Sequence, residues 1–329
     1  MIISRTPFRI SFFGGGTDYP AWYNKNVGMT ISTTINKFSY ISIRSLPAFF
    51  NFKHRIRYYK NEEVNLLDKI KHPVVREAMR LLNIENGLEI VHSADLPARS
   101  GIGSSSSFTV GLLHALSTYK NKMLTKRELA IKAINLEQNI IKESVGSQDQ
   151  TIAAFGGFNF TEYNKTNTFD VNNIFTTNQR KKSLEDNLIL CFSGFTRNAK
   201  TIAKQQILNI PKKDRELNKI IDITIQAKKI LTNEKISLDD FGSLLNEHWY
   251  LKKKLSKNIT NLNIDKIYNT AIKAGAIGGK LLGAGGGGFF VFYARKEDHE
   301  KIINSLKNYL IIPFRFDNNG SQIVYFSHD

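Results

Sequence analysis

Three stretches of this chain combine glycine, hydroxyl and carboxylate side chains in patterns that suit phosphate chemistry. The first is Leu96-Pro97-Ala98-Arg99-Ser100-Gly101-Ile102-Gly103-Ser104-Ser105-Ser106-Ser107. Glycine lets a backbone approach an anion closely. The apolar residues that follow, Phe108, Leu112, Leu116 and Tyr119, are spaced for a helix. The loop therefore opens a helix whose free N–H groups and dipole favour negative charge. Serine hydroxyls can donate to phosphate or ligate magnesium. The loop matches neither the G-x-x-x-x-G-K-[ST] pattern nor the dinucleotide fingerprint. Its four serines and two glycines exceed what capping a helix needs.

The second stretch carries Glu137 and Asp149. Thr125-x-x-Glu128 reads as a capping box opening a helix that places Ala130, Ile134 and Ile141 on one face, with Glu137 among them. Asp149 lies in the polar break Glu143-Ser144-Val145-Gly146-Ser147-Gln148-Asp149-Gln150 that ends this helix. Near a phosphate loop, two carboxylates suit one magnesium ligand and one residue facing a nucleophilic hydroxyl. By spacing alone, a helix-end turn with an ion-paired glutamate fits as well. The third stretch, Gly283-Ala284-Gly285-Gly286-Gly287-Gly288, has five glycines in six residues. Close backbone approach to a ligand, or to the other glycine loop, explains it; a β-bulge or hairpin is the alternative.

The elements that must position these groups are legible from periodicity. Phe8 to Phe13 reads as a strand running into Gly14-Gly15-Gly16-Thr17-Asp18, and Thr30 to Arg44 as a second strand. Val74 to Leu82 reads as a helix and Gly87 to His92 as a strand. The polar, Asn- and Thr-rich segment from Asn159 to Asn187 reads as the domain boundary. Beyond it come a strand at Leu188–Phe192, amphipathic helices to about residue 275, and strands at Phe289–Tyr293 and Gln322–Phe326.

Length, composition and charge bound the class. The 329 residues, 41% hydrophobic and 23% charged, suit one large or two ordinary globular domains. A single cysteine, Cys191, excludes an internal disulfide and a multi-thiolate zinc site, and its apolar neighbours make it a core residue. The seven histidines lack metal-ligand spacing. No apolar run suffices for a membrane span and no signal segment opens the chain, so a cytoplasmic location is expected. The net charge of +17 points to an anionic partner. Its densest cluster, Lys252-Lys253-Lys254, reads as a solvated helix face.

In this order, the segments resemble the GHMP kinase superfamily of galactokinase, homoserine kinase, mevalonate kinase and phosphomevalonate kinase. The first motif is Pro7-Phe8-Arg9-Ile10-Ser11-Phe12-Phe13-Gly14-Gly15-Gly16-Thr17-Asp18-Tyr19, and the third is Lys280 through Gly288. The resemblance implies an α+β, two-lobed GHMP kinase fold. Residues 1–186 would form an ATP-binding lobe like ribosomal protein S5 domain 2. Residues 187–329 would form a ferredoxin-like lobe. ATP would bind at Pro97, Gly101, Ile102, Gly103, Ser104, Ser105, Ser106 and Ser107, and Mg²⁺ at Ser105 and Glu137. Asp149 would face the substrate hydroxyl, with Arg9 as its basic partner. Gly14, Gly15, Gly16, Thr17, Asp18, Gly146, Gly285 and Gly286 would line the substrate side. From position alone, just after the Leu188–Phe192 strand, Arg197 and Lys200 are candidates to grip a substrate phosphate, with two solvated helix-start cations as the alternative.

Galactokinases carry Gly-Glu-His where this chain has Gly14-Gly15-Gly16, which counts against galactose. The form Arg-Ile-Ser-Phe-x-Gly-Gly-Gly-Thr-Asp-Tyr-Pro is most similar to D-glycero-D-manno-heptose 7-phosphate kinases of bacterial capsule or lipopolysaccharide synthesis. This implies an ATP- and Mg²⁺-dependent kinase acting on an anomeric hydroxyl and yielding a 1,7-bisphosphate. Fucokinase- or galactokinase-like activity, a non-catalytic sugar-phosphate or nucleotide sensor, and an RNA-binding protein are the rival readings. The expected partners are ATP and a small sugar phosphate, without nucleic acid or membrane; a homodimer is compatible with the sequence.

Overall fold

The first strand, β1 (Ile2–Phe13), is buried on both faces from Thr6 onward, because a helical layer covers each side of it. The computed structural model describes residues 1–165, 168–194 and 199–327, with the side chains of residues 199 and 200 excepted. After β1 come α1 (Pro20–Tyr23), β2 (Gly28–Ser45), β3 (His54–Arg57), β4 (Asn61–Val64), α2 (Pro73–Leu81), β5 (Leu88–Ala94), α3 (Ser104–Tyr119), α4 (Lys126–Ile134) and α5 (Gln148–Phe155). The hairpin β6 (Phe158–Asn164) and β7 (Thr168–Asn173) and helix α6 (Asn178–Asp186) follow. The next elements are β8 (Leu188–Phe192), α7 (Ala199–Asn209), α8 (Asp214–Thr232), α9 (Leu238–Lys253), α10 (Leu262–Lys273), β9 (Gly278–Leu281) and β10 (Phe289–Tyr293). The chain closes with α11 (His299–Ser305), β11 (Leu310–Ile311), β12 (Phe316–Asp317) and β13 (Gln322–Phe326).

Among the described residues the strands form two sheets. The nine-stranded sheet runs β13-β1-β2-β5-β3-β4, with β6 and β12 also on β2 and β7 on β6. Strand β2 is long enough to pair with β6 through its first half and β5 through its second. The four-stranded sheet runs β11-β8-β10-β9, all antiparallel. Counted along the chain this order is 4-1-3-2, with α7–α10 and α11 as the connections, which is the ferredoxin-like arrangement expected for the second lobe.

Two cores result. One lies behind the first sheet, where α3 and α4 bury Leu112, Leu113, Leu116 and Leu129 with Ile41 and Ile43. The other is shared by the lobes: Phe12 and Phe13 of β1 meet Phe241 of α9 edge-on, at centroid distances of 5.4 and 5.0 Å. Cys191 is buried in β8, as expected of a core residue.

Three local expectations are revised. The segment from Asn159 to Asn187 is not a linker but the hairpin β6–β7 and helix α6; most of its polar residues lie on the outer hairpin strand and the exposed helix face, while Asn159 and Thr161 on β6 are buried. The expected division at 186/187 lies at the junction of α6 and β8. However, the tail returns to the first lobe, where β12 pairs with β2 and β13 with β1. Finally, the helix opened by the Thr125–Glu128 capping box stops being α-helical at Ile134 and widens into a π-helical turn over Asn135–Ile140. Turns of this kind bulge a helix locally and are frequent at functional sites.

The glycine loops meet as backbone. The Phe289 N–H donates to Ser100 O at 2.9 Å, and a Cβ on Gly288 (φ +109°) would stand 2.2 Å from that oxygen. Gly288→Ala should therefore part the two loops. We expect a loss of roughly 2–4 kcal/mol, combining left-handed strain with the clash, read as a lower Tm in a thermal melt against wild type.

Candidate active site

Small residues let α3 lie on β1. Gly111 faces Thr6 so closely that a Cβ would be 2.8 Å from the threonine oxygen, and Ser4 Oγ donates to Gly111 O at 2.8 Å. Ser107 Oγ donates to Pro7 O, also at 2.8 Å. The Arg9 N–H donates to Ile102 O at 3.1 Å, so β1 fixes the serine–glycine loop as well as the helix it opens. Gly103 is the N-cap in the left-handed region, φ +76°. The first turn of α3 begins there with its N–H groups unpaired by helix geometry.

Arg9 and Asp149 stand against that turn. Arg9 Nε and Nη2 donate to the two carboxylate oxygens of Asp149 at 2.7 and 2.8 Å, a bidentate pair. Nη1 donates to Gly101 O at 2.6 Å. A Cβ on Gly103 would lie 3.2 Å from Arg9 Cγ and 3.5 Å from Asp149 Oδ2, so the carboxylate abuts the start of α3. Arg9 is buried, whereas the Asp149 side chain is 29% exposed. Asp149 sits in the first turn of α5 and not in an irregular break.

Glu137 lies on the π-helical turn and is buried. Its Oε2 accepts from Ser106 Oγ at 2.9 Å and from Gln150 Nε2; Oε1 has no hydrogen-bond partner among the described residues. Burial pushes its carboxyl up to about 7, against the lowering effect of the neighbouring polar side chains of Thr109, Gln150 and Ser106. Among the described residues no cluster of three or more His, Cys, Asp or Glu side chains could hold a metal alone. Magnesium needs no such cage, since one or two carboxylates and substrate phosphates suffice. A buried carboxylate with one idle oxygen, bonded to a serine on the phosphate-type helix, fits that ion.

The serine facing Glu137 is Ser106. Ser105 is exposed one position earlier in the helix, turned away by the helical step of about 100°. Asp18 is buried; its Oδ1 accepts from the Gly16 N–H at 3.0 Å, and Gly146 packs on it so tightly that a Cβ would be 1.9 Å away. Burial raises the Asp18 carboxyl, with Asp149 adding to the effect. Thr17 Oγ1 closes the first motif by donating to Gly14 O at 2.8 Å, and Gly15 is left with open space around it. Gly285 and Gly286, expected on the substrate side, pack on the segment before α10. They are buried against Ile259, whose oxygen accepts from the Gly286 N–H at 2.9 Å. Arg197 lies outside the described residues, as does the side chain of Lys200.

Sequence reasoning missed three basic residues of the second lobe. Lys252 is not a solvated face: it is buried, and its Nζ donates to Leu281 O and Gly283 O at 2.8 and 2.5 Å. Lys280, also buried, donates across the lobes to Phe12 O at 2.9 Å. His248 Nε2 accepts from the Gly14 N–H at 3.2 Å, and burial holds the ring neutral. The signal available was the i, i+4 spacing of His248 and Lys252, which puts them on one face of α9.

Comparison with known proteins follows the same outline. The family model "GHMP kinases N terminal domain" matches residues 68–157, and "GHMP kinases C terminal" matches residues 215–312. The chain is 30% identical to the D-glycero-alpha-D-manno-heptose 7-phosphate kinase of Campylobacter jejuni over 320 residues, 93% of either chain. It is 25% identical over 319 residues to the bifunctional fucokinase/GDP-fucose pyrophosphorylase of Arabidopsis thaliana, covering 90% of this chain and 30% of that one. The crystal structure of a D-glycero-D-manno-heptose 1-phosphate kinase from Bacteriodes thetaiotaomicron superposes with a TM-score of 0.82 over the whole of both chains, at 24% identity.

The buried Glu137 predicts a pH signature. Its folded value near 7 exceeds the unfolded 4.5. The stability this group contributes is therefore full below pH 4.5 and lost as pH rises through 7. Glu137→Gln removes that loss. Without metal or nucleotide, the variant should melt at or below the wild-type temperature at pH 5 and a few degrees above it at pH 8. Parallel Tm-against-pH curves would show that Glu137 does not titrate in this window.

Proposed function

The chain belongs to the GHMP kinase family, and from that premise we propose that it transfers the γ-phosphoryl group of ATP to the anomeric hydroxyl of a sugar phosphate. The proposed substrate is D-glycero-D-manno-heptose 7-phosphate and the product the 1,7-bisphosphate. One observation carries the reaction type: Asp149, partly open to solvent, is held in bidentate grip by Arg9 against the first turn of α3. A phosphate bound by that turn and a hydroxyl bound by Asp149 would be neighbours. The choice of sugar is supported by the near full-length match to the Campylobacter jejuni heptose 7-phosphate kinase.

Phosphoryl transfer demands positioning and charge neutralisation more than covalent chemistry. The N–H groups of Gly103 to Ser106 would hold the phosphates of ATP. Glu137 and Ser106, with the exposed Ser105 in the same turn, would hold a magnesium ion, which supplies positive charge to the phosphate oxygens. Asp149 orients the sugar hydroxyl with the lone pairs that Arg9 leaves free. The sugar oxygen attacks the γ-phosphorus, its proton passes to Asp149, and ADP leaves. Asp18, rigidly seated between Gly16 and Gly146, would fix the sugar ring.

Asp149→Asn should lower kcat by roughly two to four decades, the size of a general-base effect, with the affinity for ATP little changed. A turnover near wild type would remove Asp149 from the mechanism. For the substrate, the measurement is kcat/KM for heptose 7-phosphate against free heptose, L-fucose and galactose. A charge-assisted phosphate contact is worth about 1.5–3 kcal/mol, so the phosphorylated sugar should lead by about 10- to 150-fold. A neutral sugar that matches it would move the substrate to the fucokinase or galactokinase branch and leave the kinase reading standing.

A further inference from the structure

The serine–glycine loop and the C-terminal glycine loop are held back to back from opposite sides by two buried cations. Gly101 and Gly283 touch: a Cβ on Gly283 (φ +67°) would be 2.6 Å from Gly101 Cα, and one on Gly101 (φ +83°) would be 2.6 Å from Leu282 O. The oxygen of Gly101 accepts from Arg9 Nη1, on β1 of the first lobe. The oxygen of Gly283 accepts from Lys252 Nζ, on α9 of the second, which also takes up Leu281 O. No other side chain of the described residues is recorded on those two carbonyls. We propose that Lys252 is a positioning residue for ATP: it pins Leu281–Gly283 against Gly101, and through Gly101 sets the loop from which α3 starts. The inference rests on the kinase reading above and names a residue that reading does not use.

The placement is costly, which argues for a purpose beyond filling space. Burial, with the charge of Arg9 adding to it, pushes the Lys252 ammonium down to about 7, while Asp18 and Asp149 act in the other direction. Its neighbours Lys253 and Lys254 sit farther out on the same helix end. An apolar side chain of similar length would fill the same volume without that penalty, yet would leave the buried carbonyl of Leu281 and the half-buried one of Gly283 without their side-chain donor. Lys252 therefore has a directional task at two atoms of one loop. That loop packs on the serine–glycine loop, whereas the Gly14–Asp18 motif is met by His248 at Gly14 and the strand just before it by Lys280 at Phe12 O. The effect of removing Lys252 should fall on the nucleotide and spare the sugar.

The test uses the full chain with Lys252→Met, Lys252→Gln and Lys252→Arg. Affinity for the β,γ-imido analogue of ATP with Mg²⁺ is measured by titration, which needs no sugar, and KM for each substrate is measured by turnover. Lys252→Met should weaken analogue binding by about 10- to 150-fold, the value of one charge-assisted bond. KM for the sugar should change less than threefold, and Lys252→Arg should recover most of the loss. Because Lys252 acts through Gly283, Lys252→Met combined with Gly283→Ala should lose no more than the worse single variant. If Lys252→Met does not fold, Lys252→Gln is read by the same criteria. Unchanged analogue affinity, equal losses for both substrates, additive losses with Gly283→Ala, or failure of both neutral variants to fold would each overturn the assignment. A wild-type chain that binds the analogue but phosphorylates none of the sugars would sink the substrate reading and leave this test intact. One that binds no nucleotide would remove both.

Discussion

The site depends on how one buried guanidinium is satisfied. Arg9 has five donors and little water, and an unpaired charge in that position would be strongly destabilising. Its Nε and Nη2 go to Asp149, its Nη1 goes to Gly101 O, and its own backbone N–H goes to Ile102 O. These bonds join β1 to the serine–glycine loop and to α5, 92 and 140 residues farther along the chain. Rigidity follows from the demand for partners: moving any of the three would strand a buried charge. Gly101 and Gly103 are glycines for a related reason, since each stands where a side chain would displace Arg9, Asp149 or the loop behind.

The same logic extends to the lobe interface. Its apolar part is the meeting of Phe12 and Phe13 with Phe241, which favours closure but tolerates sliding. Register comes from polar contacts on backbone atoms: His248 to Gly14, Lys280 to Phe12, and Phe289 to Ser100. Backbone donors and acceptors cannot swing away as side chains can. A cleft that must align a phosphate with a hydroxyl to within a fraction of an ångström needs that kind of restraint.

Most of the scaffold was legible in the sequence because it follows from local pattern. Strands β8, β10 and β13 fall on Leu188–Phe192, Phe289–Tyr293 and Gln322–Phe326, where short apolar runs are bounded by polar or glycine residues. The capping box at Thr125 forms as its spacing implies, and the C-terminal glycine run is explained by contact with the other glycine loop. What escaped depends on distant atoms. Beyond its i, i+4 spacing from His248, Lys252 is set apart from Lys253 and Lys254 by the distant carbonyls of Leu281 and Gly283. Ser106 is selected from four serines by where the helix starts, which Gly103 sets. The π-helical turn under Glu137 leaves no mark in the periodicity, because one extra residue per turn is absorbed within a few positions.

The charge of the chain carries a related lesson. A surplus of +17 reads as a call for an anionic partner, and counting positive residues gives no way to locate it. Two unit charges 4 Å apart interact by about 1 kcal/mol in water and by about 4 at the effective dielectric of a protein surface. Position therefore outweighs number. Arg9, Lys252 and Lys280 are all buried, and burial lowers both lysines, with Asp18 acting in the other direction on each. Much of the remaining positive charge lies on the surface, in exposed ion pairs such as Arg295–Asp239 or free in solvent, where salt screens it. Buried charge is therefore a stronger pointer to where an anion would be held than the total, because there the field is least screened.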